Sequence, residues 1–212
     1  VHNGIIENYS SLKNNLIKVI TGPRRAGKSF LGFHIFKTAG NFGYANFDDE
    51  VLCDVRNYNE IISIINSIYN SPKNLLFDEI QNLKNWELFV NRLYRQGYNL
   101  IITGSNSNLL SRELATHLTG RHIPINVFPF SFSEYLGLEK EELTTDEKKE
   151  KFWQYLNSGG FPEPHIKKMD VRDYLTVLFD SIVYKDIVRR FHIRKISAIE
   201  ELARFLLSSI AK

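Results

Sequence analysis

Residues 22–29, GPRRAGKS, have the residue types and the G-x-x-x-x-G-K-[ST] spacing of a phosphate-binding loop. Glycines at the two fixed positions allow successive backbone N–H groups to turn toward a phosphate chain. Lys28 adds a positive charge for the β and γ phosphates, and Ser29 offers a hydroxyl to Mg²⁺. An apolar run precedes the loop and a helical segment follows it, so the positive end of that helix points at the same place. The loop predicts a nucleoside triphosphate site.

Two adjacent acids, Asp78 and Glu79, follow the apolar residues of NLLFDEI, at 74–80. Charged groups at the end of a buried strand are costly unless they have partners. We expect Asp78 to hold the hydration shell of Mg²⁺, and Glu79 to polarise the attacking water as a general base. Such a pair is similar to that of the ATP-hydrolysing branch of phosphate-loop proteins, which has an extra central strand. The sequence also lacks an [NT]-K-x-D segment for guanine, so ATP is favoured over GTP.

A third polar group, TGSNS at 103–107, ends the neighbouring apolar run. A polar side chain there can hydrogen-bond both the γ-phosphate and the water, and Thr103, Ser105 and Asn106 are all candidates. The residues that we expect to contact the nucleotide are Gly22, Pro23, Arg24, Arg25, Ala26, Gly27, Lys28, Ser29, Phe30, Thr103 and Ser105.

The elements that must position these residues alternate along the chain. Apolar runs predict five strands, and Pro124 in the last of them indicates a sheet edge. Apolar spacing predicts helices between them, with Trp86 and Leu88 facing the core. This alternation predicts an α/β fold with a five-stranded parallel sheet, in which ligands bind at the carboxyl ends of the strands. The predicted strands are 16–21, 42–47, 74–80, 98–104 and 121–128, and the predicted helices are 29–38, 57–69 and 86–96.

The character of the chain changes after FPFSF, and we predict a domain boundary near Pro129, with an ATPase core over 1–129 and a smaller all-helical region over 130–212. Helices are expected over 170–191 and 196–210, and Trp153 is expected in the core. The segment YKDIVRRFHIRK, 184–195, holds five basic residues and one acid. It is interpreted either as a nucleic-acid-binding face or as a helix end stabilised by cations.

The composition gives broader limits. A net charge of +3 is too small to identify a partner, and the single cysteine, Cys53, excludes an intramolecular disulfide and favours a reducing, cytoplasmic setting. No apolar stretch reaches the length of a membrane span, so no membrane partner is expected.

The ordered blocks GPRRAGKS, FDDE, FDEIQN, TGSNSNLLS, LTGR, FPFSFSEYL, GGFPE and SIVYKDIVRRFHIR resemble a prokaryotic family of AAA+-like P-loop ATPases. The resemblance implies ATP and Mg²⁺ as cofactors, DNA-linked work, and a C-terminal restriction-endonuclease-like domain that is largely missing from this chain. It also implies that Arg121, in LTGR, is an arginine finger or sensor in its own site or in a neighbouring subunit's. Asn46 and Asp48, in NFDDE, are candidates to restrain Glu79 until a partner binds.

Four functions fit these motifs. The leading hypothesis is a Mg²⁺-dependent ATPase coupled to a DNA-acting module. The alternatives are a slow nucleotide-dependent switch, a small-molecule kinase and an assembly scaffold with a decayed site. The absence of an arginine-rich lid segment disfavours the kinase, and the intact set Lys28, Ser29, Asp78 and Glu79 disfavours decay.

Overall fold

The computed structural model describes residues 14–105, 118–139, 141–188 and 191–210. Its strands are β1 Ile17–Thr21, β2 Phe42–Asn46, β3 Asn74–Asp78, β4 Asn99–Gly104 and β5 His122–Asn126. Its helices are α1 Lys28–Ala39, α2 Glu50–Cys53, α3 Tyr58–Tyr69, α4 Trp86–Arg95, α5 Phe132–Leu136, α6 Thr145–Ser158, α7 Pro162–Lys167, α8 Val171–Ser181 and α9 Ile196–Ile210, with a short 3₁₀ turn, Ile80–Asn82, and a π-helical segment, Ile182–Val188.

The five strands form one sheet in the order β2-β3-β4-β1-β5, and every pairing is parallel. The α/β fold with a five-stranded parallel sheet, predicted from the alternation of elements, is therefore confirmed. β4 lies between β1, which leads into the loop, and β3, which ends at Asp78. This is the extra central strand indicated by the acid pair.

Both faces of the sheet are covered by helices. On one face, α3 and α4 bury residues such as Ile61, Ile65 and Phe89 against alternate side chains of the strands. On the other face, α1 buries Leu31 and Ile35. Since the central strands are covered on both sides, β1 is buried along its whole length, and this accounts for its mostly apolar sequence, in which only Lys18 and Thr21 are polar.

The edge strand β5 carries Pro124, as the sequence predicted. In its pairing with β1, Arg121 accepts from Ile17 and Val127 donates to Thr21 through backbone groups. Successive residues of a strand point their backbone groups to opposite sides, so Pro124 faces away from β1. Its missing N–H therefore costs the sheet no hydrogen bond.

Three expectations about packing are wrong in detail. The strand expected over 74–80 ends at Asp78, because Glu79 adopts a left-handed backbone conformation with φ 49°. Trp86 is buried, but Leu88 lies on the opposite side of α4 and is 55% exposed. Trp153 is 65% exposed, because Tyr155, two positions along α6 and thus about 200° around the helix, makes the contacts with Phe132 and the backbone.

The contacts divide the chain into two compact units, Val1–Tyr155 with Gly160–Pro162, and Leu156–Gly159 with Glu163–Lys212. This division lies beyond the boundary expected near Pro129. The reason is that the backbone N–H of Phe130 donates to the Gly160 oxygen and the backbone oxygen of Phe130 accepts from the Tyr155 hydroxyl, and both partners lie in the first unit. The helix expected over 170–191 is α8 followed by the π-helical segment. Across the described ranges, no helix is both long enough and apolar enough to cross a membrane.

Candidate active site

The phosphate-binding loop joins the carboxyl end of β1 to the amino end of α1, as the motif requires. Gly27 caps α1 in a left-handed conformation, with φ 100° and ψ 15°. Gly22 has φ 149°, and a Cβ built on it would lie 1.9 Å from the backbone oxygen of Val127. The first glycine is therefore needed because the chain passes directly against the segment that follows β5.

We expect Gly22→Ala to lower the affinity for ATP by about ten-fold or more, because the loop must move away from Val127 and adopt a strained backbone. The matched control is Gly40→Ala. Gly40 also has a positive φ, 99°, but a Cβ built on it would have no other atom within 4 Å. Isothermal titration with ATP measures both variants. Equal affinities of the two variants would contradict this role of Gly22.

Asp78, at the end of β3, is brought into direct contact with the loop. Its carboxylate accepts hydrogen bonds from the hydroxyl of Ser29, at 2.9 and 2.7 Å, and from the hydroxyl of Thr103 at the end of β4. Tyr44, on β2, donates a third and longer one at 3.3 Å. The carboxylate is thus buried and held by hydroxyl groups from three other elements.

Glu79 lies beside Asp78, and its left-handed backbone turns its side chain toward the loop. Its Oε1 lies 3.7 Å from Nζ of Lys28. Its Oε2 accepts a hydrogen bond of 2.6 Å from the side-chain amide of Gln81 and one of 3.1 Å from the backbone N–H of Ser105. The backbone N–H of Glu79 in turn donates to Thr103 Oγ1, at 3.2 Å.

The charges of the site compensate one another. Burial raises the pKa of Glu79, but Lys28 and the hydrogen bonds from Gln81 and Ser105 outweigh it, so that this pKa is lowered and the carboxylate stays ionised. Burial lowers the pKa of Lys28, although Glu79 and Asp78 oppose this effect. Lys28 also donates to the backbone oxygen of Pro23 at 3.0 Å. A polyphosphate would replace these contacts with stronger ones, because it carries more negative charge than either partner.

The donor set at Ser29 and Asp78 fits Mg²⁺. Magnesium prefers oxygen ligands and is usually held by one or two carboxylates together with water and substrate phosphates. A hydroxyl and a carboxylate within 2.9 Å of each other at the loop supply that minimum. Within the part of the chain that the structure describes, no group of three or more acidic, histidine or cysteine side chains could hold a metal alone.

The remaining loop residues have different surroundings. Arg24 Nη1 lies 3.6 Å from Asp48 Oδ2, whose other oxygen accepts from Asn82 at 3.0 Å. Pro23, Arg25 and Phe30 are exposed, and Ala26 is buried beneath the loop. Asp48 thus contacts the loop arginine, whereas Asn46 accepts from the backbone N–H of Asp48 at 3.0 Å. The contacts of Glu79 come from Gln81, Ser105 and Lys28, so the expectation that Asn46 or Asp48 restrains Glu79 is not met.

Arg121 is not part of this cluster. It precedes β5 at the amino ends of the strands, where its backbone oxygen accepts from Ile17, and its side chain donates to Asn91 Oδ1 at 2.6 Å. The loop and the acids lie at the carboxyl ends, about 16 Å away along a five-residue strand. The Arg121 side chain thus contacts Asn91 instead of the loop or the acids of its own site. Asn106 lies outside the described residues.

Three residues with polar contacts in this region were missed by the sequence analysis. Gln81 immediately follows the acid pair in DEIQ, but nothing in its position shows that its amide turns back to Glu79. Tyr44 is an ordinary alternating residue of β2. Asn126, which accepts from Thr21 Oγ1 at 2.6 Å, is the last residue of β5. Polar residues at the carboxyl ends of the other strands were singled out in the sequence, and the same reasoning applied to β5 would have found Asn126.

With this fold and site, the chain matches a family of known proteins, and it belongs to the AAA domain family, whose model matches residues 14–136. It is 42% identical to an uncharacterised protein of Methanocaldococcus jannaschii, over 93% of this chain and 47% of that protein. It is 31% identical to an uncharacterised protein of Haemophilus influenzae, over 93% of this chain and 52% of that protein. The chain thus spans about half the length of these relatives.

Among solved structures, the fold is similar to that of a Walker-type ATPase of Pyrococcus abyssi, with a TM-score of 0.51 and 16% identity. The alignment covers 96% of this chain and 75% of that one. Family and fold together define an AAA domain with the fold of a Walker-type ATPase.

Proposed function

We propose that this chain is a Mg²⁺-dependent ATPase core whose hydrolysis is coupled to a DNA-associated activity. One observation carries the enzymatic part: Lys28, Ser29, Asp78 and Glu79 meet at the carboxyl ends of β1 and β3. Lys28 binds the β and γ phosphates, Ser29 and Asp78 hold Mg²⁺, and Glu79 accepts a proton from the attacking water. Magnesium would supply charge neutralisation of the phosphates, while the loop supplies N–H groups and orientation.

The test is steady-state phosphate release with Mg²⁺, with EDTA, and with single- and double-stranded DNA. The proposal expects turnover that needs Mg²⁺ and rises when DNA is added. Turnover that is unaffected by any DNA would support the ATPase activity and contradict its coupling to DNA. No turnover with Mg²⁺ under any condition would contradict the ATPase itself.

A slow nucleotide-dependent switch is the second candidate. It is favoured by the contact between Lys28 and Glu79, which pairs the cation of the loop with the proposed general base. Basal turnover on the order of 10⁻³ s⁻¹, the range of GTPase switches, supports the switch, whereas turnover of about 1 s⁻¹ or more supports the leading proposal.

The DNA part of the proposal is supported by the basic segment 184–195. Arg194 and Lys195 are exposed, and Lys195 directly precedes the first residue of α9, Ile196. A cation at the amino end of a helix is not favoured by the helix dipole, so stabilisation of α9 does not explain it. Arg189 and Arg190 lie outside the described residues.

We expect replacement of Arg189, Arg190, Arg194 and Lys195 by serine to flatten the slope of log affinity for DNA against log salt by about three to four units, since each lost phosphate contact removes about 0.9. ATP affinity should stay the same. Fluorescence anisotropy with labelled duplex at several salt concentrations measures the slope, and differential scanning calorimetry measures Tm on the same variant. An unchanged slope with a lower Tm would assign these residues to helix stability instead.

Two further parts of the proposal concern the whole protein. Arg121 is proposed to act on the site of a neighbouring copy in a homo-oligomer, for which it must leave Asn91. The family resemblance also supports a restriction-endonuclease-like domain C-terminal to this core. Sedimentation velocity with and without ATP tests the first, and the sequence of the full-length protein beyond this core tests the second.

A cytoplasmic setting, expected from cysteine content, is tested by fractionation of the source cells.

A further inference from the structure

The carboxylate of Glu79 has two oxygens with different surroundings, and the difference originates in a residue outside the motif. Oε2 is held by two neutral donors, the Gln81 amide at 2.6 Å and the Ser105 backbone N–H at 3.1 Å. Oε1 faces Nζ of Lys28 at 3.7 Å. An oxygen that already accepts two hydrogen bonds is a poor proton acceptor, because its lone pairs are occupied.

The contact that holds Oε1 is the one that we expect ATP to remove. Lys28 belongs to the phosphate-binding loop, and its ammonium is drawn to the phosphates when nucleotide binds. The Gln81 and Ser105 donors carry no charge and do not belong to the loop, so they stay with Oε2. Nucleotide binding therefore frees one specific oxygen of Glu79, the one that faces the loop.

We propose that Gln81 is a positioning residue of this ATPase: its amide, with the Ser105 N–H, anchors Oε2 of Glu79, so that Oε1 is the oxygen that accepts the proton of the attacking water. In that step the water loses a proton to Oε1 while its oxygen bonds to the γ-phosphorus and the bond from phosphorus to the ADP oxygen breaks. The proton then passes to the phosphate product. This inference rests on the proposed ATPase function.

The surroundings of Gln81 support a role that depends on its amide. Its Oε1 atom is buried and has no hydrogen-bond partner among the residues that the structure describes. An apolar side chain of the same length would avoid the cost of an unpaired buried oxygen. The hydrogen bond that the Gln81 side chain donates to Glu79 is thus the interaction that requires an amide at this position. The orientation of the amide follows from chemistry, because an ionised carboxylate only accepts.

The backbone at Glu79 makes such an anchor useful. Glu79 has φ 49° and ψ 45°, a conformation that non-glycine residues seldom adopt, and it immediately precedes the 3₁₀ turn that contains Gln81. A single turn thus sets both the backbone that aims the carboxylate and the amide that fixes its rotation. Misplacement of a catalytic group by about 1 Å can cost up to 100-fold in rate.

The test is a double-mutant cycle with Gln81→Met, which keeps the length of the side chain and removes its donor. We expect Gln81→Met to lower kcat about ten-fold or more and to leave KM and the Kd for ATP unchanged, because only the base is misplaced. In the background of Glu79→Gln, the same change should have no further effect on single-turnover hydrolysis, because Gln81 acts through Glu79. Gln96→Met, the same substitution at an exposed site, is the matched control and should retain wild-type turnover.

Other outcomes overturn the proposal. Wild-type kcat in Gln81→Met would show that the anchor is not needed, and an equal loss in both backgrounds would show a general effect on the site. If Gln81→Met fails to fold, as judged by its Tm, Gln81→Glu is the second variant, because it keeps the shape of the side chain and replaces the donor by a carboxylate that repels Glu79. Gln81→Glu should lower kcat further, and this loss should again disappear in the Glu79→Gln background. Absence of turnover in the unmodified protein would instead remove the ATPase function and this inference with it.

Discussion

Lys28→Ala is expected to abolish productive binding of ATP, with the loss of all measurable turnover. The Lys28 side chain is only 4% exposed, its Nζ donates to the Pro23 carbonyl, and it faces Glu79 across 3.7 Å. Removal of the ammonium leaves the phosphates without their central positive charge, and it leaves the buried Glu79 carboxylate without its cation. Repulsion between that carboxylate and the γ-phosphate then adds to the loss of attraction.

Isothermal titration with ATP and a phosphate-release assay measure this variant. The matched control is Lys37→Ala, which removes an exposed lysine from the last turn of the same helix. Tm should be recorded for both, since the unpaired Glu79 also affects stability. Unchanged ATP affinity and turnover in Lys28→Ala would mean that the loop does not bind phosphate.

Glu79→Gln is expected to keep ATP bound and to slow hydrolysis by roughly 10²-fold or more, the contribution of a positioned general base. The amide keeps the shape of the side chain and its contact with the Ser105 N–H, but it removes the basic oxygen. It also removes the charge that competes with phosphate for Lys28, so ATP should bind at least as tightly as in the unmodified protein.

Single-turnover hydrolysis and ATP titration on the same preparation separate the two effects. Glu150→Gln, an exposed acid on α6, serves as the control for loss of one negative charge. Hydrolysis at the unmodified rate in Glu79→Gln would assign water activation to a different residue. Weaker binding together with slower turnover would indicate that the site had lost its shape instead.

Most of the fold was predictable because each element has a local signal. The mostly apolar sequence of β1, the glycines of the loop and the acid pair at the end of β3 each reflect a requirement that one stretch of chain satisfies alone. The same local signals gave the order of the motifs at the carboxyl ends of the strands. Even the extra central strand was indicated, through the residue that follows Asp78.

The errors concern properties that depend on distant parts of the chain. Whether Leu88 or Trp153 is buried depends on which side of its helix meets a neighbour, and periodicity does not decide this when apolar residues lie on both sides. Arg121 was judged by its motif, whereas its position at the amino end of β5 depends on pairing with β1. Gln81 is polar and unremarkable in sequence, and its contact with Glu79 arises from the positive φ of a single residue.

Pro124 has a consequence for the behaviour of this protein at high concentration. Because its position faces outward from β5, an incoming strand would find no N–H there and would meet the pyrrolidine ring instead. Exposed sheet edges are templates for uncontrolled strand addition, and proline is one of the residues that block it. Pro124 thus protects this edge against edge-to-edge aggregation, and copies of the chain that associate on this side must do so through side chains instead of through a shared sheet.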